Sequence, residues 1–172
     1  MDDKTAKILD QLMNAINNLS NRITTLENNN KDLNIQIHYH TDKYPGLEPL
    51  EKHGNFYDVR AAEDIELVEG KQVLIPLGIS VNLPDGYYAE LLPRSSSFKR
   101  YGFLVANSMG IIDSEYRSLE DEWMLSVYPT RDMKIFKNER IAQFTIVKEI
   151  PFTLEESTWE AKKRDGFGSS GQ

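Results

Sequence analysis

The chain has 172 residues, 40% of them hydrophobic and 27% charged, with a formal net charge of -7. That length holds one core domain with an appendage rather than two full domains, and the acidic balance argues against the basic footprint of a nucleic-acid or membrane-surface protein. Cysteine is absent, which excludes disulfides and thiolate-bound metals; with no apolar run of about 18 residues and no signal-peptide pattern, the cytoplasm is the expected compartment.

Residues 1–33 form the first predicted unit. Leu9, Leu12, Ile16, Leu19, Ile23, Leu26 and Leu33 recur at alternating steps of three and four, with Asn30 breaking the series. This is the a/d seam of a coiled coil, and neither proline nor glycine interrupts it. The opposite face consists almost entirely of Asn, Asp, Lys, Thr, Ser and Gln, which favours a self-associating stalk over an amphipathic helix packed on its own domain. Ile at a with Leu at d, and Asn at one a position, would by themselves point to two strands. Arg22 and Glu27, at g and e around Ile23 and Leu26, instead resemble the arginine–glutamate pairing of three-stranded coiled coils.

From Ile35 onward the pattern turns to β. Alternating or β-branched runs occur at 33–39, 73–81, 87–92 and 141–147, and turn signals such as Leu83-Pro84-Asp85-Gly86 separate them. Many short strands with no clear helix predict a mainly β domain over 34–172, an antiparallel barrel or jelly roll.

Five short motifs punctuate this region: Tyr57-Asp58-Val59-Arg60-Ala61, Pro93-Arg94-Ser95-Ser96-Ser97, Gly110-Ile111-Ile112-Asp113-Ser114-Glu115-Tyr116, Glu139-Arg140-Ile141-Ala142-Gln143, and Arg164-Asp165-Gly166-Phe167-Gly168-Ser169-Ser170-Gly171. Each has a bland alternative. Asp113 alone reads as a turn aspartate, Tyr116 as a core aromatic, Arg140 and Gln143 as an exposed strand pair, and the Gly/Ser-rich tail as a disordered end. Their chemistry suggests more. Guanidinium and hydroxyl groups hold phosphate oxygens, a carboxylate beside a positioned water accepts its proton, glycines admit phosphate to backbone amides, and an aromatic ring stacks on a base. In this order and spacing the motifs resemble the trimeric deoxyuridine triphosphatases (dUTPases), closest to the variant of Gram-positive bacteria and their phages, from about Asn34 to the C-terminus.

The resemblance implies a jelly-roll (β-clip) fold, a homotrimer with shared active sites, and Mg2+-assisted hydrolysis of dUTP to dUMP and pyrophosphate. Such an activity limits uracil in DNA and supplies dUMP for thymidylate synthesis. It further implies that Asp58 acts near Mg2+ through water, and that Arg94, Ser95 and Ser96 hold phosphates. Asn107, Gly110 and Ile112 would lie in the element that accepts uracil through backbone groups. Asp113 would hold and deprotonate the attacking water, and Tyr116 would lie under the deoxyribose, where a 2′-hydroxyl collides with its ring. Arg140 and Gln143 would orient phosphate or water, while Arg164, Phe167, Gly168, Ser169 and Ser170 would form a lid, 164–171, over a nucleotide bound by neighbouring chains. Ser96 and Asp165 depart from glycines common at those places. A threefold catalytic domain also selects three strands for the stalk.

Glu120-Asp121-Glu122 reads as a solvated insertion rather than a second metal site, and His38, His40 and His53 lack metal-ligand spacing. Two other functions remain as alternatives. A dCTP deaminase shares the implied fold and an Arg-Ser-Ser motif, but its reaction needs a glutamate where this chain has Ser126. A regulatory nucleotide-bound trimer would capture a protein partner, through the stalk for example. No nucleic-acid or membrane partner is expected.

Overall fold

The computed structural model describes residues 3–29 and 33–159. Helix α1 covers Asp3–Asn29, as the uninterrupted 3.6-residue periodicity predicts. Its seam is open to solvent: Leu9, Leu12, Ile16, Leu19 and Ile23 are each about half exposed. A three-stranded coiled coil would cover this seam with other copies of the helix, and Asn30 lies outside the described residues.

The strands follow in the order β1 (Gln36–Tyr39), β2 (Glu51–His53), β3 (Phe56–Arg60), β4 (Ile65–Leu67), β5 (Val73–Pro76), β6 (Ile79–Asn82) and β7 (Tyr87–Pro93). A short helix α2 (Ser97–Tyr101) comes next, then β8 (Phe103–Val105), β9 (Gly110–Ile112), β10 (Met124–Pro129), β11 (Met133–Ile135) and β12 (Arg140–Lys148). All pairings are antiparallel, in sheets ordered β1-β6, β5-β10-β8, β11-β4 and β2-β3-β12-β7-β9. Many short antiparallel strands stacked over one core match the expected mainly β class. That core includes Ile75, Leu77, Ile79, Phe103, Trp123, Leu125 and Ile141, all nearly inaccessible to water; Trp123 meets Phe144 edge-on at 5.0 Å between ring centroids.

Two local expectations are corrected. The run at 73–81 is two strands, because the chain breaks at Leu77-Gly78 with Gly78 at φ +65°, a left-handed conformation that side chains resist. A Cβ there would lie 2.5 Å from Leu47 Cδ2 and 3.0 Å from Ala62 Cβ, so glycine is required by space as well as by angle. The expected absence of helix after the stalk fails at α2, whose five residues are too few to display a 3.6-residue pattern. Gly102 ends it in a left-handed conformation, φ 66°, its N–H bonded to Phe98 O, the usual device for stopping a helix.

Candidate active site

The five-stranded sheet gathers the first, second and fourth motifs. Strand β12 lies between β3 and β7, and its register sets Gln143 opposite Asp58 on one side and Leu92 on the other. An irregularity between Arg140 and Ala142 shifts the β3 register at that end. The outcome is a charged cluster around one buried carboxylate. Asp58 is 1% exposed, with Oδ1 3.0 Å from Arg94 Nε and Oδ2 3.5 Å from Arg140 Nη1. Arg94 Nη1 donates to the Arg140 carbonyl at 3.1 Å. Two guanidinium groups this close repel unless carboxylates stand between them, and Asp58 does so. Glu51 Oε2 adds a second negative charge, 2.7 Å from Arg140 Nη1.

The three serines divide their roles. Ser97 is fully buried; its Oγ donates to Ile141 O at 2.7 Å and accepts the Arg94 N–H at 3.0 Å. It therefore ties the second motif to the fourth, while Ser95 is exposed and Ser96 half-buried. Gln143 Nε2 donates to Pro93 O at 3.3 Å, a further link between the same two motifs.

The third motif is carried by β9, the edge strand beside β7. Gly110 pairs with Leu91, and a Cβ on it would sit 3.1 Å from Leu91 Cβ, so glycine allows the close approach of the two strands. Before it, Asn107 is exposed in a turn where Ser108 takes φ 64° and Met109 N donates to Asn107 O at 2.7 Å. Beyond it, Ile112 pairs with Ala89. Asp113 is exposed, and its Oδ1 accepts the Glu115 N–H at 2.8 Å. Tyr116 is 44% exposed, and its hydroxyl donates to Glu122 O at 3.0 Å.

One chain does not bring all these groups together. Asp113 leaves the sheet at the Ala89 end of β7, whereas Arg94 follows Pro93 at the other end. At about 3.3 Å per residue this puts a strand length of roughly 17 Å between them. The cationic cluster and Asp113 therefore stand apart within one chain. Arg164, Phe167, Gly168, Ser169 and Ser170 lie outside the described residues.

Several residues at the site carried no sequence signal. Glu51 and His53 belong to no motif, yet Arg140 Nη1 donates to His53 Nε2 at 2.9 Å. Glu122 is not the solvated residue its acidic neighbours suggest: its side chain is 11% exposed and pairs with Lys43 Nζ at 2.7 Å, which raises the Lys43 pKa.

Among the described residues no group of three or more His, Cys, Asp or Glu is arranged to hold a metal ion. Where Glu51, His53 and Asp58 converge, the Arg140 guanidinium already occupies the centre. Asp58 Oδ2 nevertheless lacks a hydrogen-bond partner although buried, so it has spare acceptor capacity. This donor set fits Mg2+ held through water and phosphate oxygens, the ligands that ion prefers, and not a cage of protein ligands.

A family model described as dUTPase matches residues 48–171. The deoxyuridine 5'-triphosphate nucleotidohydrolase YosS, derived from the SPbeta prophage of Bacillus subtilis, is 38% identical over 141 residues, covering 81% of this chain and 99% of the relative. The enzyme of the same description from Rickettsia felis is 38% identical over 125 residues, 70% of this chain and 84% of the relative. Among solved structures, the dUTPase of Staphylococcus bacteriophage 80alpha with dUpNHpp superposes with a TM-score of 0.70 at 20% identity, over 81% of this chain and 99% of that one. The order of motifs along the sequence, the sheet that collects three of them around Asp58, and a family match over residues 48–171 have one common explanation: the chain belongs to the dUTPase family.

Proposed function

We propose that this protein hydrolyses dUTP to dUMP and pyrophosphate, with Asp113 as base and Arg94, Arg140 and Gln143 serving the phosphates. The observation that carries this reading is the separation of two chemically complementary half-sites on a chain of the dUTPase family: cations around Asp58 at one end of β7, and a carboxylate with an exposed tyrosine at the other. In the reaction a water oxygen bonds to the α-phosphorus, the bond from that phosphorus to the α,β-bridging oxygen breaks, and pyrophosphate leaves. Asp113 accepts the water's proton, a step that wants a carboxylate within hydrogen-bond reach of the nucleophile. Arg94 and Arg140 are held in place by Asp58, so their charge is preorganised against the phosphates rather than reorganised on binding. Mg2+ held near Asp58 through water would supply neutralisation of charge on the phosphate oxygens. Tyr116 excludes a 2′-hydroxyl by contact, selection by collision rather than attraction.

A complete site then needs Asp113 from one chain and Arg94 from another, which supports a homotrimer with shared sites. The segment after β12 favours the same arrangement. Ile150, Phe152 and Leu154 alternate along a stretch that is neither helix nor strand and are 79–90% exposed, an apolar segment suited to crossing onto a neighbouring chain ahead of the lid residues 164–171. Helix α1 would join three copies as well. Ile8 and Met13 flank the seam and are also about half exposed, widening the apolar face to the breadth that a helix with more than one partner buries.

The test is release of pyrophosphate from purified protein given dUTP, dTTP, dCTP or UTP with Mg2+. Strong preference for dUTP supports the reading; comparable turnover of UTP refutes it, and turnover of dCTP to a deaminated product would point to the deaminase instead.

A further inference from the structure

The loop between β9 and β10, residues 113–123, carries both Asp113 and Tyr116, and its far end is fastened by one side chain. Glu122 Oε1 accepts the Gly78 N–H at 3.2 Å, and Oε2 pairs with Lys43 Nζ at 2.7 Å. The next residue is locked by backbone bonds on both sides: Trp123 N donates to Ile79 O at 2.8 Å and Leu77 N donates to Trp123 O at 3.0 Å. Glu122 is thus fixed to the β5–β6 connection through its carboxylate and through its neighbour's backbone. Its carbonyl, placed by those contacts, is the acceptor for the Tyr116 hydroxyl at 3.0 Å.

We propose that Glu122 is a positioning residue for sugar selectivity, holding the Tyr116 ring at the height where a ribose 2′-hydroxyl meets it. The inference rests on the reading of Tyr116 given above and adds the means by which its ring is held. A tyrosine 44% exposed has room to swing about its side-chain torsions, and an exclusion device that swings aside excludes nothing. Without the Glu122 carbonyl the ring loses its only polar tether among the described hydrogen bonds. Without the carboxylate contacts the carbonyl keeps the Trp123 backbone bonds but loses the anchors of its own residue, so it is held less firmly. Other bonds from the loop to the rest of the fold, Ser80 Oγ to Leu119 O at 3.1 Å and Arg117 Nη1 to Leu83 O at 3.3 Å and to Asp85 Oδ1 at 2.6 Å, hold its middle and leave the Tyr116 hydroxyl untouched. Lys43 belongs to no motif, so it offers a way to loosen the clamp without altering a residue next to the nucleotide.

The experiment measures kcat/KM for dUTP and for UTP in wild-type protein, Tyr116→Ala, Tyr116→Phe, Glu122→Ala, Glu122→Gln, Lys43→Met and the Tyr116→Phe/Glu122→Ala double variant, each checked for its melting transition. Tyr116→Phe keeps the ring and removes the tether. It should lower the dUTP/UTP ratio by about tenfold, the equivalent of one hydrogen bond. Glu122→Ala should lower the ratio in the same direction but by less, because the Trp123 backbone bonds remain; the double variant should add little to Tyr116→Phe alone, and Glu122→Gln and Lys43→Met should fall between wild type and Glu122→Ala. If Glu122→Ala and Lys43→Met lower kcat/KM for both nucleotides equally, or if the double variant is fully additive, Glu122 does not act through Tyr116 and the proposal is overturned. Should Glu122→Ala fail to fold, Lys43→Met and Tyr116→Phe decide by the same ratio. Tyr116→Ala separates the two levels: an unchanged ratio there removes the role of Tyr116 itself, whereas a collapsed ratio with an unaltered one in Glu122→Ala removes only the clamp.

Discussion

Replacing Asp58 with alanine should destabilise the protein and disarm its phosphate cluster together. Its carboxylate side chain is 2% exposed and faces two arginines whose side chains are 20% and 32% exposed. Breaking a buried ion pair by removing one partner typically costs about 3–5 kcal/mol, because the other charge is left uncompensated. Here the stranded partners are partly wet, and Arg94 keeps its bond to Arg140 O while Arg140 keeps Glu51, so about 2–3 kcal/mol is expected. For a chain of this size that corresponds to a drop in melting temperature of roughly 4–12 °C. Asp58→Asn retains the shape and one acceptor, and should lose less stability than alanine while still losing the charge that holds the arginines apart.

The assay is urea unfolding followed by circular dichroism at fixed protein concentration, paired with equilibrium binding of a non-hydrolysable dUTP analogue. Glu51→Ala is the control, since that carboxylate is 46% exposed and exposed pairs contribute at most about 1 kcal/mol. If Asp58→Ala unfolds within about 0.5 kcal/mol of wild type, the range of an ordinary surface change, then Asp58 does not organise the cluster. Unimpaired binding of the analogue in a folded Asp58→Ala protein would equally separate the arginines from the phosphates.

Asp113→Asn should bind the same analogue normally and lose turnover by about 10²- to 10⁴-fold, the usual contribution of a general base, as read by pyrophosphate release. Gly78→Ala combines a left-handed backbone with a Cβ 2.5 Å from Leu47 Cδ2 and should cost about 2–5 kcal/mol, summing the helical-handedness and overpacking terms; a melt within about 0.5 kcal/mol of wild type would mean the chain relaxes around it. Deleting 164–172 should abolish turnover and leave sedimentation as a trimer unchanged, whereas retained activity would exclude a lid. Ile16→Asp with Ile23→Asp should bury charge in the α1 seam and unwind it, seen as lost helical circular dichroism with turnover intact; an isolated 1–33 peptide that sediments as a monomer would show that the helix has another partner.

Legibility in the sequence followed the range over which the causes act. The periodicity of α1 and the strands at 36–39, 87–93 and 140–148 are local patterns, and the observed boundaries fall within a few residues of the expected ones. The break at Gly78 was hidden because its cause is a crowd of side chains from Tyr44, Leu47 and Ala62, up to thirty-odd positions away in the chain. The motif Arg94-Ser95-Ser96-Ser97 names the right segment, but which serine is buried depends on Ile141 offering a carbonyl from another strand. Glu122 sits in an acidic run that composition reads as solvated, and only the fold supplies the Lys43 ammonium and Gly78 amide that draw it inward.

The same contrast explains why the residues proposed for one active site are legible in the sequence and stand apart within the chain. On the proposed reading, motif order groups Asp58, Arg94, Asp113, Arg140 and Gln143 chemically, without saying whether they meet within one chain. Antiparallel pairing answers that for three of the motifs: β12 aligns Gln143 with Asp58 and Leu92. For the third motif it gives the opposite answer, because β9 runs against β7 and carries Asp113 away from Arg94 as it goes. A strand pair that separates two groups by its own geometry cannot be closed by side-chain motion over roughly 17 Å of strand, longer than any side chain reaches. On the proposed reading, joining them requires a second copy, so that reading and the assembly stand or fall together, and a monomeric variant that stayed fully active would refute both.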